Sequence, residues 1–222
     1  MLKLMNGLAP HTSAIFEAVS KLECIKPFLL VGGTALSLQI NNRLSEDLDF
    51  MSWRKTKSEK REVQWAQIKN ELESIGTIEK FDLYDIDHVE FVVDGVKLSF
   101  YANPNYSIVR EEIAYLNNIR LADKTSIGAM KMEVLMRRSK FRDYYDIYSL
   151  LEAGESLRQM VELALKYSGH RLKSKNLIAM ITRSERFEYD SNFIALNPKY
   201  AVGPKDIEAR IIAALEESAD FK

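Results

Sequence analysis

The chain has 222 residues, 46% of them apolar and 28% charged, which is enough to build a sizeable core and unlike the composition of a disordered chain. Thirty-one Lys and Arg stand against 32 Asp and Glu, so the net charge of −1 excludes a globally basic nucleic-acid binder and leaves that role to local clusters. One cysteine, Cys24, excludes an intramolecular disulfide framework and a Cys-rich zinc site, and its expected role is that of a small buried hydrophobe.

The N-terminal MLKLMNGLAPHT is too short in apolar length, and too soon broken by Gly and Pro, to read as a signal peptide. No later run approaches the roughly 18 apolar residues of a membrane span. The expectation is a soluble, cytoplasmic protein without a membrane partner. Ile15, Phe16, Val19, Leu22 and Ile25 then fall at helical spacing behind the cap candidates Thr12 and Ser13. Pro27 breaks the chain, and FLLV (28–31) reads as a short buried strand. A helix opened by Gly32 and Gly33 is expected over Thr34 to Gln39, and a second strand at LDFM (48–51). A polar helix is expected from about Ser58 to Ile75, ending at Gly76.

Three strand candidates follow, TIEKFDLY (77–84), HVEFVV (88–93) and VKLSFY (96–101), with Asp94-Gly95 as a two-residue hairpin signal between the last two. After about residue 120 the strands stop. Helical spacing runs through Asp123 to Met136, Phe141 to Leu151, Glu155 to Tyr167, Ser174 to Ser184 and Pro204 to Glu217, with Pro204 where a first-turn proline belongs. The fold expected is therefore an α/β domain with a mixed sheet over 1–120, followed by an all-α helical bundle over 121–222 that caps its cleft.

The stretch VGGTALSLQINNRLSEDLDF (31–50) carries the chemistry. In a strand, residues i and i+2 share a face, so Asp47 and Asp49 present two carboxylates side by side and call for a cation between them. Mg²⁺, or Mn²⁺ in its place, takes a few carboxylates together with phosphate oxygens and water, which suits a metal–nucleotide pair. Gly32 and Gly33 let a phosphate chain approach the backbone at the start of a helix, whose free N–H groups and positive dipole end favour an anion. Thr34 and Ser45 add hydroxyl donors. Taken singly, the Asp pair reads equally as a solvated edge and the Gly pair as a turn; the weight lies in their joint spacing.

That spacing resembles the signature of the nucleotidyltransferase superfamily: an apolar residue, Gly-Gly or Gly-Ser, nine to thirteen residues, then Asp-apolar-Asp or Glu. Gly-Gly-Thr-Ala-Leu with Arg43, Ser45, Asp47 and Asp49 resembles the AbiEii/AbiGii toxin branch. LADKTSIGAMKMEVLMRRSKFRDYYDIYSLL (121–151) is similar to that branch's helical segment. The resemblance implies transfer of a nucleoside monophosphate from a nucleoside triphosphate to a hydroxyl, with release of pyrophosphate, by the toxin of a toxin–antitoxin system. By matching position it makes Asp47 and Asp49 the metal pair and Ser45 a phosphate contact, and it makes Lys131 the lysine that offsets triphosphate charge. Asp143 and Asp146 match the acids of the last motif. The opposing readings are a solvated Lys131, salt bridges from Asp143 to Arg142 or Arg138 and from Asp146 to Arg142, and an Arg43 that either orients the Asp pair or solvates a loop.

The superfamily often has a third carboxylate on a later strand. VKLSFY offers Lys97, Ser99 and Tyr101 at its outward positions, and Glu90 is the nearest substitute. Two alternatives therefore stand beside the transferase: a nucleotide- or RNA-binding relative without catalysis, and a toxin that acts by binding a protein. Basic clusters at 54–61, 137–142 and 171–175 suit an RNA acceptor, and the resemblance implies transfer RNA as one such acceptor, since some related toxins act on it. A cognate antitoxin is the protein partner the resemblance implies. His11, His88 and His170 have no ligand-like spacing.

Overall fold

The computed structural model describes residues 5–169 and 171–217; His170 and the first four residues of the N-terminal segment lie outside them. The chain divides after Asp123 into two compact units. No helix among the described residues is long and apolar enough to cross a membrane.

The first unit opens with α1 (Pro10–Ser20), which begins before the expected cap because Pro10 occupies the first turn and Ala9 is the N-cap. Thr12, expected as a cap, instead donates from Oγ1 to the Glu46 carbonyl at 2.6 Å. Then come β1 (Leu29–Val31), α2 (Gly32–Ile40) and β2 (Leu48–Arg54). The next helix, α3, spans only Trp65–Glu73. Residues 58–62, expected in its first turns, are Ser, Glu, Lys, Arg and Glu and offer no apolar stripe to pack. They form a loop in which the Glu59 carboxylate accepts the Lys55 N–H at 2.6 Å, while Val63 N–H donates to the Ile86 carbonyl at 2.8 Å.

Strands β3 (Ile78–Asp85), β4 (His88–Val93) and β5 (Val96–Tyr106) follow. The β4–β5 turn has positive φ at both Asp94 (46°) and Gly95 (77°), as a two-residue turn matched to strand twist requires. Two strands stand where the sequence reading assigned none, β6 (Glu112–Leu116) and β7 (Ile119–Ala122), joined through Asn117 at φ 49°. The seven strands form one mixed sheet in the order β3-β4-β5-β2-β1-β7-β6. β2 runs antiparallel to β1 and parallel to β5, and β7 runs parallel to β1. Phe100 lies at the centre of its core, stacked on Phe50 at 5.1 Å and edge-on to Phe28 at 5.4 Å.

The second unit contains α4 (Lys124–Val134), α5 (Phe141–Glu152), α6 (Leu157–Tyr167), α7 (Ser174–Ile181) and α8 (Pro204–Glu217), with 3-10 turns at Ser184–Arg186 and Phe193–Leu196. Helix α4 packs on α5 and α6, α5 on α8, and α6 on α7. Tyr144, Tyr145, Ile147 and Leu150 of α5 are fully buried, which makes α5 the hydrophobic spine of this unit.

Candidate active site

In the first unit the Gly pair and the Asp pair meet. Asp49 lies in β2 and Asp47 immediately precedes that strand, rather than both lying within it as expected. Leu48 and Phe50 are buried while Asp47 and Asp49 are half-exposed, so the alternation of a strand still turns both carboxylates to one face. Val31 pairs with Asp49, which places the start of α2 directly beside that carboxylate. Gly32 has φ +70°, and a Cβ there would come within 2.6 Å of Asp49 Oδ2. A Cβ on Gly33 would lie 2.5 Å from Arg43 Nη2 and 3.2 Å from Ser45 Oγ. Side chains of the candidate site thus close over both glycines, and Gly32 alone also holds a positive φ. The N-cap of α2, Val31, makes no side-chain cap bond.

The loop carrying Arg43, Ser45 and Asp47 is pinned from several sides. Ser45 N–H donates to the Gly7 carbonyl at 2.8 Å, and its carbonyl accepts Ala9 N–H at 2.9 Å. Thr34 Oγ1 donates to the Asp47 carbonyl and lies 2.8 Å from Ser45 Oγ. Thr34 therefore ties α2 to the residue before β2. Arg43 is buried and donates from Nη1 to the Leu44 carbonyl at 2.9 Å. Together these bonds fix the backbone on which the Asp pair stands.

Lys97 was not singled out from the sequence for a role. Because β2 and β5 are parallel with Asp49 opposite Ser99, Lys97 comes beside Asp47, with Nζ 3.6 Å from Asp47 Oδ2. Burial pulls the Lys97 pKa down, but the Asp47, Asp49 and Glu90 carboxylates outweigh it and hold the pKa above its ordinary value. The neighbouring carboxylates therefore favour the charged form of Lys97. Ser99 stands between Asp49 and Glu90 in the cross-strand row, so Glu90 lies two strands away, about 10 Å by strand spacing. Its carboxylate is near Tyr84 Oη (3.4 Å) and His88 Nε2 (3.6 Å).

The second unit gathers the other expected residues. Lys131 of α4 places Nζ 2.9 Å from Asp143 Oδ1 and 2.8 Å from Asp146 Oδ2, both on α5. The two Asp side chains are fully buried and Lys131 is nearly so. Asp143 also receives both Nε (2.9 Å) and Nη2 (3.1 Å) of Arg138. Burial pushes the Asp143 pKa up, but the Lys131 and Arg138 charges prevail and hold it below the ordinary carboxylate value. Of the salt bridges weighed from sequence, the one to Arg138 forms, whereas Arg142 pairs with Asp190. The spacing of Asp143 and Asp146 places them on one helix face, yet nothing in the sequence says that Lys131 lies between them.

Comparison with known proteins bears on the same residues. The family described as nucleotidyl transferase AbiEii toxin, type IV toxin–antitoxin system, matches residues 14–218. An uncharacterized protein of Aquifex aeolicus (strain VF5) is 26% identical over 166 residues, 73% of this chain and 76% of that protein. Two Helicobacter pylori crystal structures share the fold. That of JHP933 has TM-score 0.55 and 16% identity over 95% of this chain and 92% of the other. That of a candidate nucleotidyltransferase has TM-score 0.57 and 15% identity over 97% and 99%. With a family match that takes in both the Gly-Gly/Asp-Leu-Asp segment and the Lys131–Asp143–Asp146 cluster, this chain belongs to the AbiEii nucleotidyl transferase toxin family of type IV toxin–antitoxin systems.

Proposed function

We propose that the protein transfers a nucleoside monophosphate from a nucleoside triphosphate to a hydroxyl acceptor on RNA, with Mg²⁺ or Mn²⁺, and acts as a toxin in the cytoplasm. The observation that carries the reading is the close approach of Asp49 to Gly32 at the start of α2, with Asp47 on the same face. Two half-exposed carboxylates are hard oxygen donors of the kind Mg²⁺ accepts, and the raised pKa of Lys97 reports the negative field in which a cation would sit. The donor set fits the ion, with Asp47 and Asp49 as its protein ligands. Bound there, Mg²⁺ would neutralise phosphate charge and act as a Lewis acid.

The protein's own groups account for the rest. The first N–H groups of α2, opened by Gly32 and Gly33, are available to phosphate oxygens, and the helix dipole favours the negative charge. Arg43 and Ser45 border that backbone and supply a guanidinium and a hydroxyl to the same anion. Thr34, bonded to the Asp47 carbonyl, positions the pair instead of meeting substrate. In the second unit Asp143 and Asp146 hold the Lys131 ammonium between them as a buried charge cluster.

One observation favours a second reading. Ser99 and Lys97 occupy the β5 positions beside the Asp pair, and no group of three or more His, Cys, Asp or Glu among the described residues is disposed to hold a metal. A nucleotide- or RNA-binding relative without catalysis has the same phosphate-binding elements and lacks only the base. Incubation with each labelled triphosphate, Mg²⁺, total RNA and total protein separates the readings. Label in RNA that disappears with Asp47→Ala and Asp49→Ala supports transfer to RNA. Label in protein changes the acceptor, and triphosphate binding without transfer selects the second reading.

A further inference from the structure

The register of β2 with β5 sets a cation against the Asp pair. Ser99 stands opposite Asp49, and Lys97, two residues earlier in β5 and on the same face, comes beside Asp47. Its ammonium lies 3.6 Å from Oδ2, one of the two oxygens of the Asp47 carboxylate. The Lys97 and Asp47 side chains are 38% and 44% exposed, so this contact is made at the open side of the sheet and not in the core. No third His, Cys, Asp or Glu among the described residues joins the two acids in a metal-holding group. Two carboxylates balance one divalent ion. With the Lys97 ammonium beside them and the Arg43 guanidinium over Gly33, little negative charge is left to hold a second.

We infer that Lys97 takes the place of a second divalent ion, so that the site works with one ion and a built-in ammonium. The inference rests on the metal-dependent transfer proposed for the Asp pair and goes beyond it by setting the number of ions. In two-ion sites for in-line displacement at phosphorus, the ions lie about 3.5–4 Å apart and clamp the attacking and leaving oxygens. A Lys ammonium is a compact charge on a flexible stem, able to follow a phosphate oxygen that such an ion would meet. It differs from an ion in two respects. It supplies one positive charge instead of two, and it has no coordination position to offer. It therefore offsets charge on an oxygen without lowering the pKa of a bound hydroxyl, and proton loss from the acceptor goes unassisted by a second ion. Two features of the site oppose that second ion, the lack of a third acid and the ammonium itself. They are separable at Ser99, the β5 residue opposite Asp49.

Mn²⁺ alone is titrated into the protein, and the free ion is counted by electron paramagnetic resonance. The parent should bind one ion, and that binding should be lost in Asp47→Ala and in Asp49→Ala. Lys97→Met should bind the ion about tenfold more tightly, the size expected when a partly screened like charge is removed. Ser99→Asp supplies a third acid; with Lys97 retained it should still bind one ion, and combined with Lys97→Met it should bind two. Two ions in the parent or in Ser99→Asp alone, one ion in the double variant, or unchanged affinity in Lys97→Met overturns the inference. Failure of the underlying reading looks different: Mn²⁺ binding is then the same in Asp47→Ala and Asp49→Ala as in the parent, and the inference falls with it. Should the Ser99→Asp variants fold poorly, Lys97→Glu exchanges the ammonium for an acid in one step. It should bind two ions and melt higher with Mn²⁺ than without, and a single ion there counts against the inference.

Discussion

Replacing Lys131 by Met tests whether the buried cluster of the second unit is a balanced charge system. The ammonium lies within 2.9 Å of two carboxylates that are fully buried, and the remaining partner identified for Asp143, Arg138, is 47% exposed. Removing one partner of a buried ion pair costs about 3–5 kcal/mol, because the opposite charge stays in a poor solvent. For a unit of about a hundred residues, each kcal/mol moves the midpoint by about 4–8 °C, so Lys131→Met should lower it by more than about 10 °C at neutral pH. The pH dependence follows from Asp143, whose pKa is held below 3.8 in the folded protein. A depressed carboxylate adds stability that is fully present above its unfolded pKa and is lost as pH falls through the folded one. In Lys131→Met that advantage is gone and protonation relieves the repulsion, so the gap in melting temperature should narrow below pH 3.8. Adding Asp146→Asn to Lys131→Met should recover part of the loss. Calorimetry at several pH values provides the check, and a Lys131→Met midpoint within about 2 °C of the parent at neutral pH would refute the reasoning, given the charge-burial cost cited.

The two glycines should behave differently. Gly33→Ala displaces only the end of the Arg43 side chain and should leave stability within about 1 kcal/mol while weakening triphosphate binding. Gly32→Ala must also hold φ +70° and should cost about 1–2 kcal/mol more, as a denaturant titration of both variants would show. Lys97→Met removes a cation 3.6 Å from Asp47 Oδ2, so Mn²⁺ affinity measured by calorimetry should rise; a fall would mean that Lys97 supports the cation site instead of competing for it. The Cys24 thiol is pushed up to about 12 by burial and by the nearby Glu71 carboxylate, so at pH 8 a thiol reagent should label it only after unfolding.

What the sequence disclosed was local. Val31-Gly32-Gly33 announced a strand turning into a helix, Asp94-Gly95 announced a hairpin, and Asp47-Leu48-Asp49 announced one carboxylate face; each depends on residues within a few positions of one another. The approach of Lys97 to Asp47 depends on the parallel register of β2 with β5, fifty residues on, which no local spacing encodes. Lys131 reaches Asp143 and Asp146 only through the packing of α4 against α5, whereas the pair of Arg138 with Asp143, five residues on, could be weighed from the sequence. The polar run at 58–62 suggested helix by composition, but without an apolar face it had nothing to dock, and Glu59 satisfied the backbone of a loop instead. The bulge opposite Trp53 and Arg54 falls in β5, where Pro104 and Asn105 are the extra residues, and the proline marks it in the sequence beyond the end of the strand expected at 96–101.

The parallel pairing of β1 with β7 sets an order of events during synthesis. Leu30 meets Leu121 about ninety residues later, a separation that makes this contact late to form and slow. Until Ile119–Ala122 has left the ribosome, the outer edge of β1 is an unpaired row of backbone groups carrying Leu29, Leu30 and Val31, all of them buried in the finished sheet. A nascent or truncated chain ending before Ile119 therefore carries the Gly-Gly and Asp-Leu-Asp segment beside an open, apolar strand edge. Such a fragment is poised to pair with another copy before it can bind anything, so premature termination should yield aggregates and not a partial toxin.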